Sequence, residues 1–394
     1  MKCVLSRALS LGALACSIWL SPVYAADQPA PSAPAPAGIA CDSDGNVYVS
    51  DYALDRVVKF GPDGSVLAQW GTSGLAPGQF SGPFGVAVDS TNSVFVVDQL
   101  NNRVQRFAPD GTLLSAWGTA GAGPGDLRTP FGAAVSNGRV YVADFGNDRV
   151  QVFGFDGSLI SSFGSRGSGD GQFQRPAAVA VGSDGTLFVS DHFNDRVERF
   201  SNDGRYQAQL GTLATTSVSQ ASVATTSAPT PLATVAPTLV PVTPTASSVS
   251  TVTSTSTAVA SPTSPTATVG ATATVGATQV VVTPTPPATP TPATTLDAQV
   301  RRPEGVTVDR DGDLWVADYG RDRVVKLSPD GRLLQSLGSR GSGPGEFVGP
   351  KGVAVDPLSG HLYVTDTGNS RIQRLGPDGS AEATWPMPPP PPNS

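Results

Sequence analysis

Apolar and polar residues alternate along this chain in short runs, and the runs recur in a fixed order. One stretch reads Pro83-Phe84-Gly85-Val86-Ala87-Val88, then a turn, then Val94-Phe95-Val96-Val97-Asp98, then Arg103-Val104-Gln105-Arg106-Phe107. Runs of five or six residues rich in Val and aromatics, bounded by Gly, Asp and Asn, predict β-strands. After the third run comes a tight turn: Asp63-Gly64, Asp110-Gly111, Asp156-Gly157, Asp203-Gly204, Asp330-Gly331 and Asp378-Gly379. Asp-Gly between alternating runs predicts a hairpin, because glycine adopts positive φ without steric cost. A fourth run then ends on Trp70, Trp117, Phe163, Leu210, Leu337 or Trp385.

The arginine that follows the second run fixes the period. It falls at Arg56, Arg103, Arg149, Arg196, Arg323 and Arg371, at intervals of 47, 46, 47, 127 and 48 residues. The long interval is one period plus an insertion of about 80 residues. Six units of four antiparallel strands, here lettered a to d, predict an all-β fold, a six-bladed β-propeller. A lone blade cannot bury both of its faces, whereas six in a ring bury each face against a neighbour. Blade one has its own strand a from Gly38 and blade six its own strand d to Trp385, so the ring is expected to close by packing alone. The blades occupy 36–211 and 298–386.

The units resemble NHL repeats. The resemblance rests on the Gly-Val-Ala-Val strand, the strand ending in Asp, the Asn/Asp-Arg-Val step, and Gly-Gln-Phe or its like before the next Pro, as at Gly78-Gln79-Phe80, Gly171-Gln172-Phe173 and Gly345-Glu346-Phe347. It implies a propeller and leaves function open, because one fold serves many activities. Animal relatives can carry a zinc-binding RING module, and bacterial receptor kinases can carry such a propeller as an extracellular sensor. This chain has neither the Cys/His set nor a kinase.

Outside the repeats, residues 1–25 read as a Sec signal peptide. Lys2 and Arg7 give a basic start, Ala8 to Leu20 an apolar stretch, and Val23-Tyr24-Ala25 a cleavage site. An extracytoplasmic or secreted protein without an integral membrane span is expected, with no lipid anchor at Cys16. Cleavage takes the formal charge from −7 to −9 by removing Lys2 and Arg7. A net acidic protein repels phosphate backbones, so no nucleic-acid partner is expected. It also leaves Cys41 as the one cysteine, at a position where other repeats have Val, which predicts a small buried apolar residue.

Residues 26–35 and 387–394 are Pro-rich and expected to be flexible. Residues 212–296 contain no Asp, Glu, Lys or Arg and consist mainly of Thr, Ser, Pro, Ala and Val. That composition cannot offset the entropy of ordering, so 212–297 is read as a disordered insertion, either a plain spacer or an O-glycosylated stalk.

Antiparallel connectivity puts the d-to-a and b-to-c loops on one face of the disc, together with the insertion and both chain ends. The repeat positions that differ most lie there. The residue after each strand-a Pro is Ala37, Phe84, Phe131, Ala177, Glu304 or Lys351; the residue after each strand-b Asp is Tyr52, Gln99, Phe145, His192, Tyr319 or Thr367. Positions that break a repeat are free to serve function. Tyr52, Phe84, Phe131, Phe145, His192, Glu304, Tyr319 and Lys351 are therefore the candidate ligand contacts around the channel mouth. His192 is otherwise an exposed loop residue.

Catalytic chemistry finds little support. The six Asp/Arg steps occur in every blade and are expected to fasten the b-to-c loop. Zinc needs three or four ligands, and the two histidines, His192 and His361, fall on opposite faces. Asp42-Ser43-Asp44-Gly45-Asn46 and Asp309-Arg310-Asp311-Gly312-Asp313 have calcium-like spacing, but Gly320 stands where an EF-hand needs its bidentate Glu. Both read as hairpin turns. The glycine-rich 164–169 and 338–343 precede no helix that would hold a phosphate. Three functions stay open: a non-catalytic, monomeric binding module for a protein, peptide or glycan with no cofactor; a metal-dependent lactonase- or lyase-like enzyme with its site in the channel; and a cell-envelope spacer.

Overall fold

The structure, a computed structural model, describes residues 33–211 and 299–389. Residues 1–25, read above as a signal peptide, the insertion over 212–297 and the end of the tail lie outside the described residues. Twenty-four strands form six four-stranded antiparallel sheets, each in the order a-b-c-d. Blade one, for example, comprises Pro36–Cys41, Val47–Asp51, Arg56–Phe60 and Val66–Trp70. The six strands a line a central channel, and the strands d form the rim.

Burial follows from this placement. Strand b lies mid-blade with a neighbouring blade on each side, and Val94–Asp98 is buried throughout. Strand d is mostly solvated, so Leu159–Phe163 is largely exposed. Six apolar clusters fill the six gaps between blades. That between blades one and two joins Tyr48 and Val57 to Phe80, Val86 and Phe107. No blade has a core of its own, which makes ring closure a condition of stability.

The inner strands approach too closely for side chains. A Cβ on Gly38 would lie 2.2 Å from the Phe84 carbonyl, and one on Gly85, Gly132, Gly305 or Gly352 would lie 2.5–2.7 Å from the equivalent carbonyl of the next blade. Blade four has Ala178 instead. There the Ser190 hydroxyl donates to the Glu304 carbonyl at 2.6 Å and accepts from the Ala178 N–H at 2.8 Å, bridging the gap.

The Asp/Arg steps fasten loops, as the sequence suggests. In blade two, Asp98 accepts from the Ser81 N–H (2.7 Å), Asn101 (2.8 Å), Arg103 Nε (2.7 Å) and Gln105 (3.2 Å). Arg103 then donates to the carbonyls of Leu75, Ala76 and Gln79 in the d-to-a loop. The residue before each such Arg has positive φ, and in blades one to five its side chain reaches the following blade: Asp55 accepts from the Gly82 N–H and Asn102 from the Thr129 N–H.

Closure of the ring uses more than packing. Thr365 and Thr367 of blade six donate to the carbonyls of Ala37 and Pro36 at 2.7 and 2.6 Å, and Arg374 donates to Pro62 at 3.0 Å. Trp385 stacks on Phe60 with centroids 5.8 Å apart. The first residues of the expected tail pack here: Met387 is buried, and Arg56 donates to the carbonyls of Pro388 and Pro389. Those two carbonyls take the role that the d-to-a loop plays in other blades. The described residues on either side of the insertion meet, the Val300 N–H donating to the Gly211 carbonyl at 2.8 Å.

One clamp differs. Blades two, three and six place a buried Gln beside the Asp, and each Gln donates to a loop carbonyl: Gln105 to Gln79, Gln151 to Asp126 and Gln373 to Glu346. Blade four has Glu198 there, accepting from the Gly171 N–H while its second oxygen has no hydrogen-bond partner among the described residues. Burial pushes its carboxyl up to about 7, against the opposing charge of Arg196. The folded chain thus holds a proton that the unfolded chain releases, and stability falls as pH rises from the unfolded value near 4.5 through about 7. Glu198→Gln is expected to stabilise the protein by about 2 kcal/mol above that range, allowing for partial solvent screening, and to make little difference below it. Urea melts of both proteins across this pH range check the sign. A gain that grows toward acid contradicts it.

Candidate functional site

The d-to-a and b-to-c loops meet at one end of the channel, and they bring all eight candidate residues together. Each strand a enters from its Pro at this end, so the next residue points over the mouth. Each strand b leaves here, and the residue after its Asp opens a tight turn, a short 3-10 helix in blades three to six. Phe131 and Phe145 stack with centroids 3.9 Å apart and planes 9° from parallel. Phe84 lies 4.4 Å from Phe131, and Tyr52 meets Phe84 edge-on at 6.2 Å. His192 continues the series, 6.3 Å from Phe145 and 6.5 Å from Tyr319. Lys351 crosses from blade six and sets its Nζ 5.3 Å from the Phe84 ring and 5.8 Å from Tyr52, above the small Ala37 of blade one. Glu304 Oε1 is 3.6 Å from His192 Nδ1.

This arrangement closes the mouth. Phe84, Phe131, Phe145, Glu304 and Lys351 are buried, and Tyr52 and Tyr319 are half-buried. His192 is fully buried, which corrects its reading as an exposed loop residue: the turn folds inward, so its ring packs between Phe145 and Tyr319 instead of facing water. Burial holds the His192 imidazole down at about 3, and the charges of Arg302 and Lys351 act the same way against the Pro303 carbonyl. Below the plug the channel keeps a cavity of about 60 Å³. Small-molecule sites run to roughly 300–1,000 Å³. At the opposite mouth a cavity of about 200 Å³ is lined by Val, Ala and Ile, with only Cys41 and Thr307 differing.

The remaining candidates resolve individually. Gln99 and Thr367 are buried in their turns, and Thr367 serves ring closure. His361 Nε2 lies 3.0 Å from Glu382 in a hairpin of the other face. Asp309, Asp311 and Asp313 do converge, but Lys326 sits among them, 2.9 Å from Asp309 and 3.0 Å from Asp313. Cys41 is half-buried against the core between blades one and six, and burial pushes its thiol well up.

Sequence reasoning missed Arg175, Arg302 and Phe193 at this face. Arg175 lies over the Phe145 ring at 5.3 Å and Arg302 over Tyr319 at 5.7 Å. The signal was available in the repeat alignment, where Gly82 and Gly349 hold the position that Arg175 and Arg302 occupy.

Six four-stranded blades around a channel define a β-propeller. The NHL repeat family matches residues 127–153, 300–327 and 347–375, and the chain is an NHL-repeat propeller. No curated protein sequence matches it. Among solved structures, a streptogramin B lyase is similar with a TM-score of 0.51 at 13% identity, covering 91% of this chain and 84% of that one. Virginiamycin B lyase from Staphylococcus aureus gives 0.49 at 14% identity, covering 91% and 85%. A gluconolactonase from Xanthomonas campestris gives 0.48 at 17% identity, covering 87% and 85%. At 13% identity the likeness to the streptogramin B lyase is one of fold. No helix among the described residues is long and apolar enough to cross a membrane.

Proposed function

We propose that this propeller is an exported, non-catalytic binding module that engages a protein, peptide or glycan through the face bearing the d-to-a and b-to-c loops. The observation that carries this is the plugged mouth. The repeat-breaking aromatics, Glu304 and Lys351 fill the channel entrance, which favours a ligand that lies across the face over a small substrate held inside. The same face exposes large apolar side chains from its loops: Leu75 at 78%, Leu100 at 51% and Phe193 at 41%. Apolar groups with polar surroundings on a loop face are typical of interaction surfaces. Export is the reading of the first 25 residues.

The test is capture of bound species from the exported fraction by full-length protein, with matched surface variants. Leu100→Glu and Phe193→Glu on the loop face are expected to weaken capture by about tenfold or more. Leu67→Glu and Ile160→Glu on the outer strands are expected to retain it. Retention by the face variants with loss in the rim variants would falsify the assignment of the face.

A further inference from the structure

Four arginines stand in three successive d-to-a loops, in the two positions before the strand-a proline. They are Arg128 entering blade three, Arg175 entering blade four, and Arg301 and Arg302 entering blade five. The same positions hold Ser81 and Gly82 before blade two and Val348 and Gly349 before blade six. A chain of net charge −7 therefore gathers four arginines along one arc of this face.

Two of these arginines occupy costly backbone. Arg175 has φ +62° and Arg302 φ +47°, while Gly82 and Gly349 hold +58° at the equivalent sites. Glycine is the unstrained residue there, and a β-carbon in this region costs about 1 kcal/mol or more. The fold imposes the conformation, because the Arg175 N–H donates to Asp148 at 2.9 Å and the Arg302 N–H to Asp195 at 2.7 Å. What arginine adds is its guanidinium, held over the mouth rings Phe145 and Tyr319. Among the described residues neither guanidinium lies within ion-pair distance of a carboxylate. Between them runs the turn of blade four, tied to the first loop by the Phe193 N–H on the Gln174 carbonyl and to the second through Asp195, and it projects Phe193.

We infer that Arg175 and Arg302, flanking Phe193, dock an acidic peptide segment of a partner protein, its carboxylates on the guanidiniums and an apolar side chain on Phe193. This rests on the loop-face reading above. Planar guanidiniums pair with carboxylates in two-point geometry. The aliphatic Leu75 and Leu100 on the same face suit peptide side chains better than sugar rings. The insertion cannot be the occupant, since 212–296 contains no acid.

The probe is a fluorescein-labelled peptide of repeating Glu-Leu-Asp, followed by anisotropy on the full chain. A Lys-Leu peptide, a polyuronate and a single-stranded RNA serve as competitors. Wild-type protein is expected to bind the acidic peptide, more tightly at low salt. The R175G/R302G double variant is expected to bind about tenfold more weakly while melting no lower than wild type, because glycine fits both positions. Equal binding by the double variant overturns the proposal, as does failure of wild type to bind the peptide or a preference for the polyuronate or RNA. Peptide binding lost in F193E but kept in R175G/R302G removes the arginine clamp and leaves the loop-face reading standing.

Discussion

Replacing Asp98 with alanine is expected to lower the stability of the propeller by about 3–5 kcal/mol, the range for breaking one partner of a buried ion pair. Asp98 is fully buried, and burial raises its carboxyl despite the Ser81 N–H and the side chains of Asn101 and Arg103. The substitution strands these donors and leaves Arg103, whose side chain is only 14% exposed, without its counter-charge. Arg103 also holds three carbonyls of the loop joining blades one and two, so the damage spreads to the neighbouring blade. A double-mutant cycle with Arg103→Ala separates the pair from its surroundings. If the clamp acts as a unit, D98A/R103A loses clearly less than the sum of the single variants in urea melts. Additive losses would mean that the two residues stabilise the blade independently.

The blade count, the strands and the clamp were legible because each is repeated. Six copies of one local pattern average out the ambiguity of any single short strand, and residues present in every copy point to structure. The positions of the eight mouth residues were legible too, since strand direction alone sends the residue after each Pro and after each strand-b Asp to one face. Their burial was not. It depends on how far side chains from different blades reach across the axis, as Lys351 does over Ala37, and on the stacking of Phe131 with Phe145. Such cross-blade distances have no trace in a linear pattern. The arginines were overlooked for another reason: their meaning lies in backbone conformation, and φ at Arg175 and Arg302 stands out only beside the glycines of blades two and six.

Replacing Gly38 with alanine is expected to cost about 3 kcal/mol, the upper end of the range for overpacking. The added methyl would lie 2.2 Å from the Phe84 carbonyl, 2.8 Å from the Val86 nitrogen and 3.0 Å from the Gly85 Cα. All three are backbone atoms of blade two and cannot rotate away. The Ser50 hydroxyl also donates to the Phe84 carbonyl, so any shift that relieves the clash breaks that hydrogen bond. Blade two cannot retreat freely either, because Gly85 packs against the carbonyl of Phe131 in blade three, which a Cβ there would meet at 2.6 Å. In a closed ring the displacement must pass from blade to blade. Ala178→Gly supplies the control: blade four already accommodates a methyl, so its removal changes stability by under about 1 kcal/mol. An unchanged urea midpoint for G38A would show that the inner strands can part without penalty. The same variant links the ring to the face. Gly38 fixes the position of Phe84, whose ring carries Lys351 and abuts Phe131, so a blade moved outward loosens the plug. G38A is therefore expected to weaken binding at the loop face as well, in proportion to its loss of stability.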